Sequence, residues 1–519
     1  MWRSAAEDRN ALTDRTFADR LFDPARRARN RLRARAAWLG AGGPAPAGAL
    51  PRPMILGDAD RGAALARAGE AAFWAGPEAD ETFAWLDDLA ALGSRAARGF
   101  AQAATLAWVA RSGAGRGPGW TPERAGLRAM RLVDHAALLS EGLEPAAAAR
   151  LWRALAAHRR YLDRAWPEAE PGLPRLRALA GLVWLYRLSP GPGAAEAVAR
   201  LGALAEISVG PEGAVASRRP ADLAEALALL IWTARVVEDS GLTADPAHLA
   251  AIVRMTAAVR PLRLGDGRMG RFHGGGGGEE IALDAALAEL RLETQPRPRL
   301  PMGYARLAGG RIALLMDGAP PPPGGHLGPL AFEMSLGRQP FVTNVGPGAP
   351  GTGAHSTVEL ALGDAGPAAA VLVRQAQDPS GMWLLATHDG YAARAGLIHE
   401  RRIFVDARGQ EARGEEILTA PDARARAAFD RAESPGFAAR FHLHPAVAAE
   451  MDGDAALLQL PTGEIWELRA GGGRVSVEPS SWRDGSEIRA ASQVVVRAEV
   501  VEYLGQVTWS FARIAEAPR

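Results

Sequence analysis

Two histidines and an asparagine stand together in GGHLGPLAFEMSLGRQPFVTNVGPGAPGTGAHSTVEL, residues 324–360: His326, Asn344 and His355. The chain has ten histidines, and its asparagines are Asn10, Asn30 and Asn344. Side chains this scarce, placed in strand-like segments between Gly/Pro turns, have reason to meet if they coordinate, catalyse or satisfy one another. Arg271 and His273 lie in the Gly-rich loop GDGRMGRFHGGGGGEE, and Arg218 and Arg219 open a helix in SRRPADL. A guanidinium forks a carboxylate and an imidazole takes a proton, although a solvated arginine pair and a surface-loop histidine account for the same residues. His388 and Tyr391 share the string THDGY, and His399 precedes Glu400. The two-residue period of a strand puts His442 and His444 on one face, either as metal ligands or as a strand-end pair before Pro445.

Composition narrows the chemistry. The chain has no cysteine, which removes disulfides, thiolate nucleophiles and Cys-ligated metals. Its basic side chains are all arginine, so no lysine base, Schiff base or P-loop is available and anions must meet guanidinium forks. A formal net charge of +1 gives no polyelectrolyte signal for nucleic acid. The N-terminal string MWRSAAEDRNALTDRTFADRLF is charged throughout and does not read as a signal peptide. The best candidate for a membrane span, ALALLIWTA, is flanked by Glu225 and Arg235 and is too short to cross a bilayer. The expected compartment is the cytoplasm, or the periplasm if the start is misassigned.

The elements that must position these residues change character along the chain. At 519 residues, two or three domains are expected. Residues 1–50 read as an Arg-rich amphipathic helix and a Gly/Pro linker, packing on its own protein or on an anionic surface. Over residues 51–298 apolar residues recur at three- and four-residue spacing, as in ETFAWLDDLAALG and PADLAEALALLIWTARVVEDSG. Pro145 and Pro220 fit first helical turns, and several antiparallel helices on short loops suggest an α/α bundle, solenoid or toroid. From 299 to 519 short alternating runs follow at intervals of 8 to 12 residues, including FVTNVG, HSTVELAL and RRIFVDARG. They predict an antiparallel β-sandwich.

The order MGYARLAGGRIALLMDG, HLGPLAFEMSLGRQPFVTNVG, AHSTVEL, HDGYAARAGLIHERRIFVDARGQEARGEEIL and FHLHP resembles the heparinase II/III-like polysaccharide lyases. WLDDLAALG and DGRMGRFHGG fit the same family in the helical half, and the resemblance spans roughly residues 55–519. It implies an α/α toroid followed by an antiparallel β-sandwich, and β-elimination on an acidic, uronic-acid-containing polysaccharide. That reaction needs the carboxylate neutralised, the C5 proton removed and the leaving 4-oxygen protonated.

The resemblance also implies a zinc site at His326, Asn344 and His355, with Asn344 where lyases usually carry Asp. The family's catalytic positions match poorly. Gly324 stands at the sandwich histidine, Leu173 and Pro174 at the toroid amide and imidazole, and Asp222 near the tyrosine. Substitutes in this sequence are His273 or Tyr391 as base or acid, Arg218 and Arg219 on the carboxylate, and Arg271 and His388 on the substrate. Two functions follow: a lyase with a rearranged site, or an inactive saccharide-binding or envelope-glycan biogenesis protein that kept the fold. Oligomeric state is left open.

Overall fold

The computed structural model describes residues 17–42, 46, 50–75, 80–276, 279–290, 301–368, 371–432, 436–484 and 487–515. The chain divides into two compact units. The first takes residues 1–216, 225–256 and 281–294, and the second 217–224, 257–280 and 295–519.

The first unit is helical, from helix Phe17–Leu39 to helix Glu279–Ala288. Its packing follows from small residues at close crossings. A Cβ on Gly126 would lie 2.2 Å from the Arg177 carbonyl oxygen, and one on Gly181 2.4 Å from Gly126 Cα. Glycine there lets helices Pro122–Asp134 and Leu173–Leu188 approach closely. Arg128 is wholly buried, its guanidinium carbon 4.1 Å from the Trp108 ring centroid. Its Nε donates to His158 Nε2 at 2.9 Å, and His158 Nδ1 donates to the Ala154 carbonyl at 2.7 Å. Burial and the Arg128 charge push His158 down to about 3, so it stays a neutral acceptor.

Of the N-terminal arm, residues 1–16 and parts of the linker lie outside the described residues. Helix Phe17–Leu39 packs on its own unit: Ala34 and Ala37 are buried, Arg26 pairs with Glu170, and Arg29 and Arg33 pair with Glu168. Three of its arginines are therefore engaged by this chain's own carboxylates, while Arg27, Arg31 and Arg35 are exposed.

The second unit carries two eight-stranded sheets, antiparallel throughout. One runs β1 (Tyr304–Gly309), β2 (Ile312–Asp317), β3 (Phe332–Leu336), β4 (Gln339–Thr343), β10 (Gly436–Leu443), β15 (Glu487–Glu499) and β14 (Arg474–Asp484), with β5 (Val358–Leu360) also on β10. The other runs β11 (Ala448–Asp452), β12 (Ala455–Gln459), β13 (Ile465–Gly471), β16 (Leu504–Ala515), β9 (Glu411–Thr419), β8 (Leu397–Asp406), β7 (Gly381–Tyr391) and β6 (Val371–Asp378). Alternate residues of both sheets enter one core, where Phe332 stacks on Trp509 at 5.8 Å and Phe441 meets Phe511 at 5.4 Å and Phe332 at 6.1 Å, closing a sandwich.

The last helix of the helical half ends at Ala288 and β1 begins at Tyr304, and the expected boundary at 298/299 falls outside the described residues. The second unit nevertheless claims two segments of the helical half. The physical cause is hydrogen bonding to strand residues. Gly265 N donates to Ser335 Oγ at 2.8 Å, Arg271 N to Glu333 Oε2 at 2.9 Å, and Arg306 Nη1 to the Arg263 carbonyl at 2.6 Å.

Candidate functional site

The two segments that join the sandwich bring Arg218, Arg219, Arg271 and His273 into the second unit. Asp317, the last residue of β2, lies against two of them, Arg218 and His273. It is 3% exposed, pairs with Arg218, and lies with Oδ2 3.0 Å from His273 Nε2. That approach lacks the alignment of a hydrogen bond, and His273 Nδ1 also has no partner among the described residues. Burial would raise the Asp317 carboxyl, but His273 and Arg218 outweigh it and hold it below the ordinary range.

Arg218 is committed further, with Nε donating to the Met302 carbonyl at 2.7 Å and Nη1 to the Pro320 carbonyl at 2.5 Å. Tyr304 Oη donates to the Arg218 carbonyl at 2.5 Å, and Arg219 Nε to the His273 carbonyl at 2.7 Å. Arg218, His273 and Met302 all have left-handed backbones, with φ of 51°, 54° and 61°. Three such non-glycine residues cost on the order of 1–3 kcal/mol each, and these hydrogen bonds hold two of them to one another.

His326 and His355 meet as expected, Nδ1 to Nε2 at 3.2 Å. Because His355 Nδ1 must donate to the Gly351 carbonyl at 2.8 Å, its Nε2 accepts from His326 Nδ1. His326 Nε2 therefore carries the free lone pair. Burial first, then the neighbouring charges of His273 and Arg219, push His326 down to about 4. Burial and His326 do the same to His355. Both rings are neutral at physiological pH.

Asn344 is wholly buried near them but faces elsewhere. Its Oδ1 accepts from Ser356 N at 3.0 Å and its backbone N donates to Glu333 Oε1 at 2.8 Å. Burial pushes Glu333 up to about 7 despite Arg271 and two backbone donors. A separation of 3.2 Å suits two nitrogen ligands of one tetrahedral zinc, but it equally suits the hydrogen bond that the tautomers dictate. The set offers two imidazoles, an amide oxygen already engaged, and no carboxylate. Among the described residues no three His, Asp or Glu side chains converge on a metal position. These residues do not fit a resident zinc ion.

The remaining expected residues do not join the cluster. Tyr391 is wholly buried and donates to the Val358 carbonyl at 2.5 Å, so it is a core hydrogen bond rather than a proton donor to substrate. His388 accepts from Gly390 N at 3.0 Å and donates to His399, which in turn donates to Glu416 at 2.8 Å; Arg401 also binds Glu416. This is a satisfied buried chain, which corrects His388 as a substrate contact. His442 lies between Ser480 Oγ at 2.7 Å and the Gly353 carbonyl at 3.0 Å, and His444 packs on Trp482. Arg271 is 5% exposed and lies 4.4 Å from the Trp482 ring centroid, its Nη1 3.5 Å from Asp484. Of the expected contacts, Arg219 is the partly exposed cation beside His326. At the family's catalytic positions, Gly324 lies in a turn, Leu173 and Pro174 start a helix, and Asp222 lies in the first turn of helix Pro220–Asp239.

The sandwich and the helical unit define a lyase-type scaffold, and the chain belongs to the heparinase II/III-like family. The family's C-terminal domain, "Heparinase II/III-like, C-terminal", matches residues 294–510. FtsZ-localized protein C of Caulobacter vibrioides (strain NA1000 / CB15N) is 31% identical over 472 residues, covering 83% of this chain and 81% of that protein. Among solved structures, heparinase III superposes with a TM-score of 0.65 at 10% identity, over 84% of this chain and 76% of its own. Heparan sulfate lyase HepC from Pedobacter heparinus gives 0.53 at 12% identity, over 99% and 93%. At such identities the structural likeness speaks for the fold alone.

Proposed function

We propose that this chain uses the lyase scaffold to bind an acidic glycan at the division site without cleaving it by β-elimination. The supporting observation is the state of the histidine cluster. His355 has both nitrogens engaged, His273 is 3% exposed, and His326, the more accessible of the three, keeps a free lone pair on Nε2. With its pKa pushed down to about 4, His326 is a weak base for the C5 proton of a uronate, whose removal favours a base poised near the working pH. Arg219, with one nitrogen spent on the His273 carbonyl, keeps its terminal nitrogens for a glycan carboxylate. The place is carried over from the relative, whose name gives a location with FtsZ and no reaction.

The test is incubation of the full chain with heparin, heparan sulfate and alginate, followed by the ultraviolet absorbance of unsaturated uronate. The expected result is no product, with binding to at least one of the three that weakens in Arg219→Met. Unsaturated product formed by the wild type and lost in His326→Ala would overturn the reading and restore the lyase.

A further inference from the structure

The outer face of the second sheet, turned away from the sandwich core, carries a groove of about 850 Å³ that the histidine cluster does not use. Strand register defines its floor. Trp383 pairs with Phe404, Phe404 with Arg413, Arg413 with Ser510, and Ser510 with Arg469. A second row runs from Leu385 through Arg402, Glu415 and Thr508 to Gly471. The alternate residues Leu384, Ile403 and Trp509 enter the core, so both rows face outward. Five strands at the usual spacing make the rows about 19 Å long.

The groove has an aromatic end and a polar end. Trp383 is 42% exposed and lies 4.3 Å from Phe404, with its indole edge fixed by Nε1 donating to Asp378 at 3.2 Å. Beyond it the arginines are held in pairs. Arg402 binds Glu400 at 2.7 Å and Glu415 at 3.0 Å, Arg413 reaches Glu411 at 3.3 Å, and Arg469 binds Glu467 at 2.7 Å. Thr508, Ser510 and Gly471 keep the floor low between the two ends. Arg374, at the aromatic end, is an exposed cation with no partner among the described residues.

We infer that this groove binds an extended glycan chain whose first ring stacks on Trp383 and whose acidic group meets Arg374. Sugar hydroxyls donate and accept together, which matches guanidinium and carboxylate groups already fixed by one another. Three of the four arginines are paired with carboxylates, which leaves Arg374 as the cation that an acidic group can meet. A polypeptide finds little here. The strands beneath the two rows are interior, and their backbone groups are spent on their neighbours.

This inference rests on the glycan-binding reading but on different residues, so the two can fail separately. The test is calorimetric titration of the full chain with cellohexaose, which is neutral, and a hyaluronan hexasaccharide, which carries uronates. Both are expected to bind the wild type. Trp383→Ala should weaken both about tenfold, the loss expected of one stacked aromatic, with an unchanged thermal midpoint because the side chain is exposed. Arg374→Ala should weaken hyaluronan and leave cellohexaose unchanged, whereas Arg219→Met should leave cellohexaose unchanged. Wild-type affinity in Trp383→Ala, or no binding of either glycan, overturns the groove and leaves the Arg219 site standing. Equal losses in Arg374→Ala for both glycans overturn the charge selection. A peptide array that binds through Trp383 when neither glycan does would reassign the groove to a protein partner. Uronate product in the lyase assay would overturn the non-cleaving reading and leave the groove.

Discussion

Replacing Asp317 by alanine tests whether the carboxylate holds the cluster together. Its partners Arg218 and His273 come from segments distant in sequence, and the Arg218 and Asp317 side chains are only 13% and 4% exposed. Removing one member of a buried ion pair typically costs about 3–5 kcal/mol, because the other charge remains buried. Arg218 still donates to the Met302 and Pro320 carbonyls, which partly compensate it and place the expected loss near the lower limit, about 3 kcal/mol. Asp317→Asn keeps an acceptor and removes the charge, so its loss should be about half as large, on the order of 1.5 kcal/mol. The two values are separable by amide exchange of peptides from β1–β4 in a urea series, which isolates the second unit.

The pH dependence has a definite sign. The carboxyl is held below its ordinary value, so its contribution is complete above about pH 4 and fades as the pH falls through the lower folded value. The gap between wild type and Asp317→Ala should therefore be flat from neutral pH to about 5 and close below 4. A loss under about 1 kcal/mol, or equal losses for the Ala and Asn variants, would refute the argument that a buried charge pair organises this site.

Two further outcomes follow from the same unit. Glu333 is pushed up to about 7, so the folded state keeps a proton that the unfolded chain releases near 4.5. Its stabilising effect is complete at the acid end and is lost as the pH rises towards 7, so Glu333→Gln should flatten that slope in thermal midpoints. An unchanged slope would show that Glu333 does not titrate there. Elemental analysis should find less than one zinc per chain, and equal content in His326→Ala and His355→Ala. Stoichiometric zinc lost in either variant would refute the hydrogen-bonded pair.

The helical and β halves were legible because they depend on local period. Apolar spacing of three and four persists through PADLAEALALLIWTARVVEDSG, and alternation through RRIFVDARG, whatever the rest of the chain does. The assignment of residues 217–224 and 257–280 to the sandwich was not legible, since it depends on hydrogen bonds between loops and strands far apart in sequence. Asp317 was missed because IALLMDG reads as an ordinary strand ending in a turn residue. Glu333 carried a usable signal, a single acid within the apolar strand FEMSL, where a charge needs a partner.

Of the His326, Asn344 and His355 group, the two histidines meet, and the asparagine oxygen is turned to Ser356 N. Proximity follows from strand order, whereas ligand competence depends on which lone pairs remain free. Here the Gly351 carbonyl fixes the His355 tautomer, and Ser356 N occupies the Asn344 oxygen. Both decisions are made by backbone groups, which no side-chain pattern records. The same reasoning separates His273 from His388. Both are buried, but every nitrogen of His388 has a partner, whereas His273 has a strained backbone and an unpartnered Nδ1. A satisfied buried histidine stabilises, while a strained and under-satisfied one beside Asp317 marks where this scaffold still concentrates its cost.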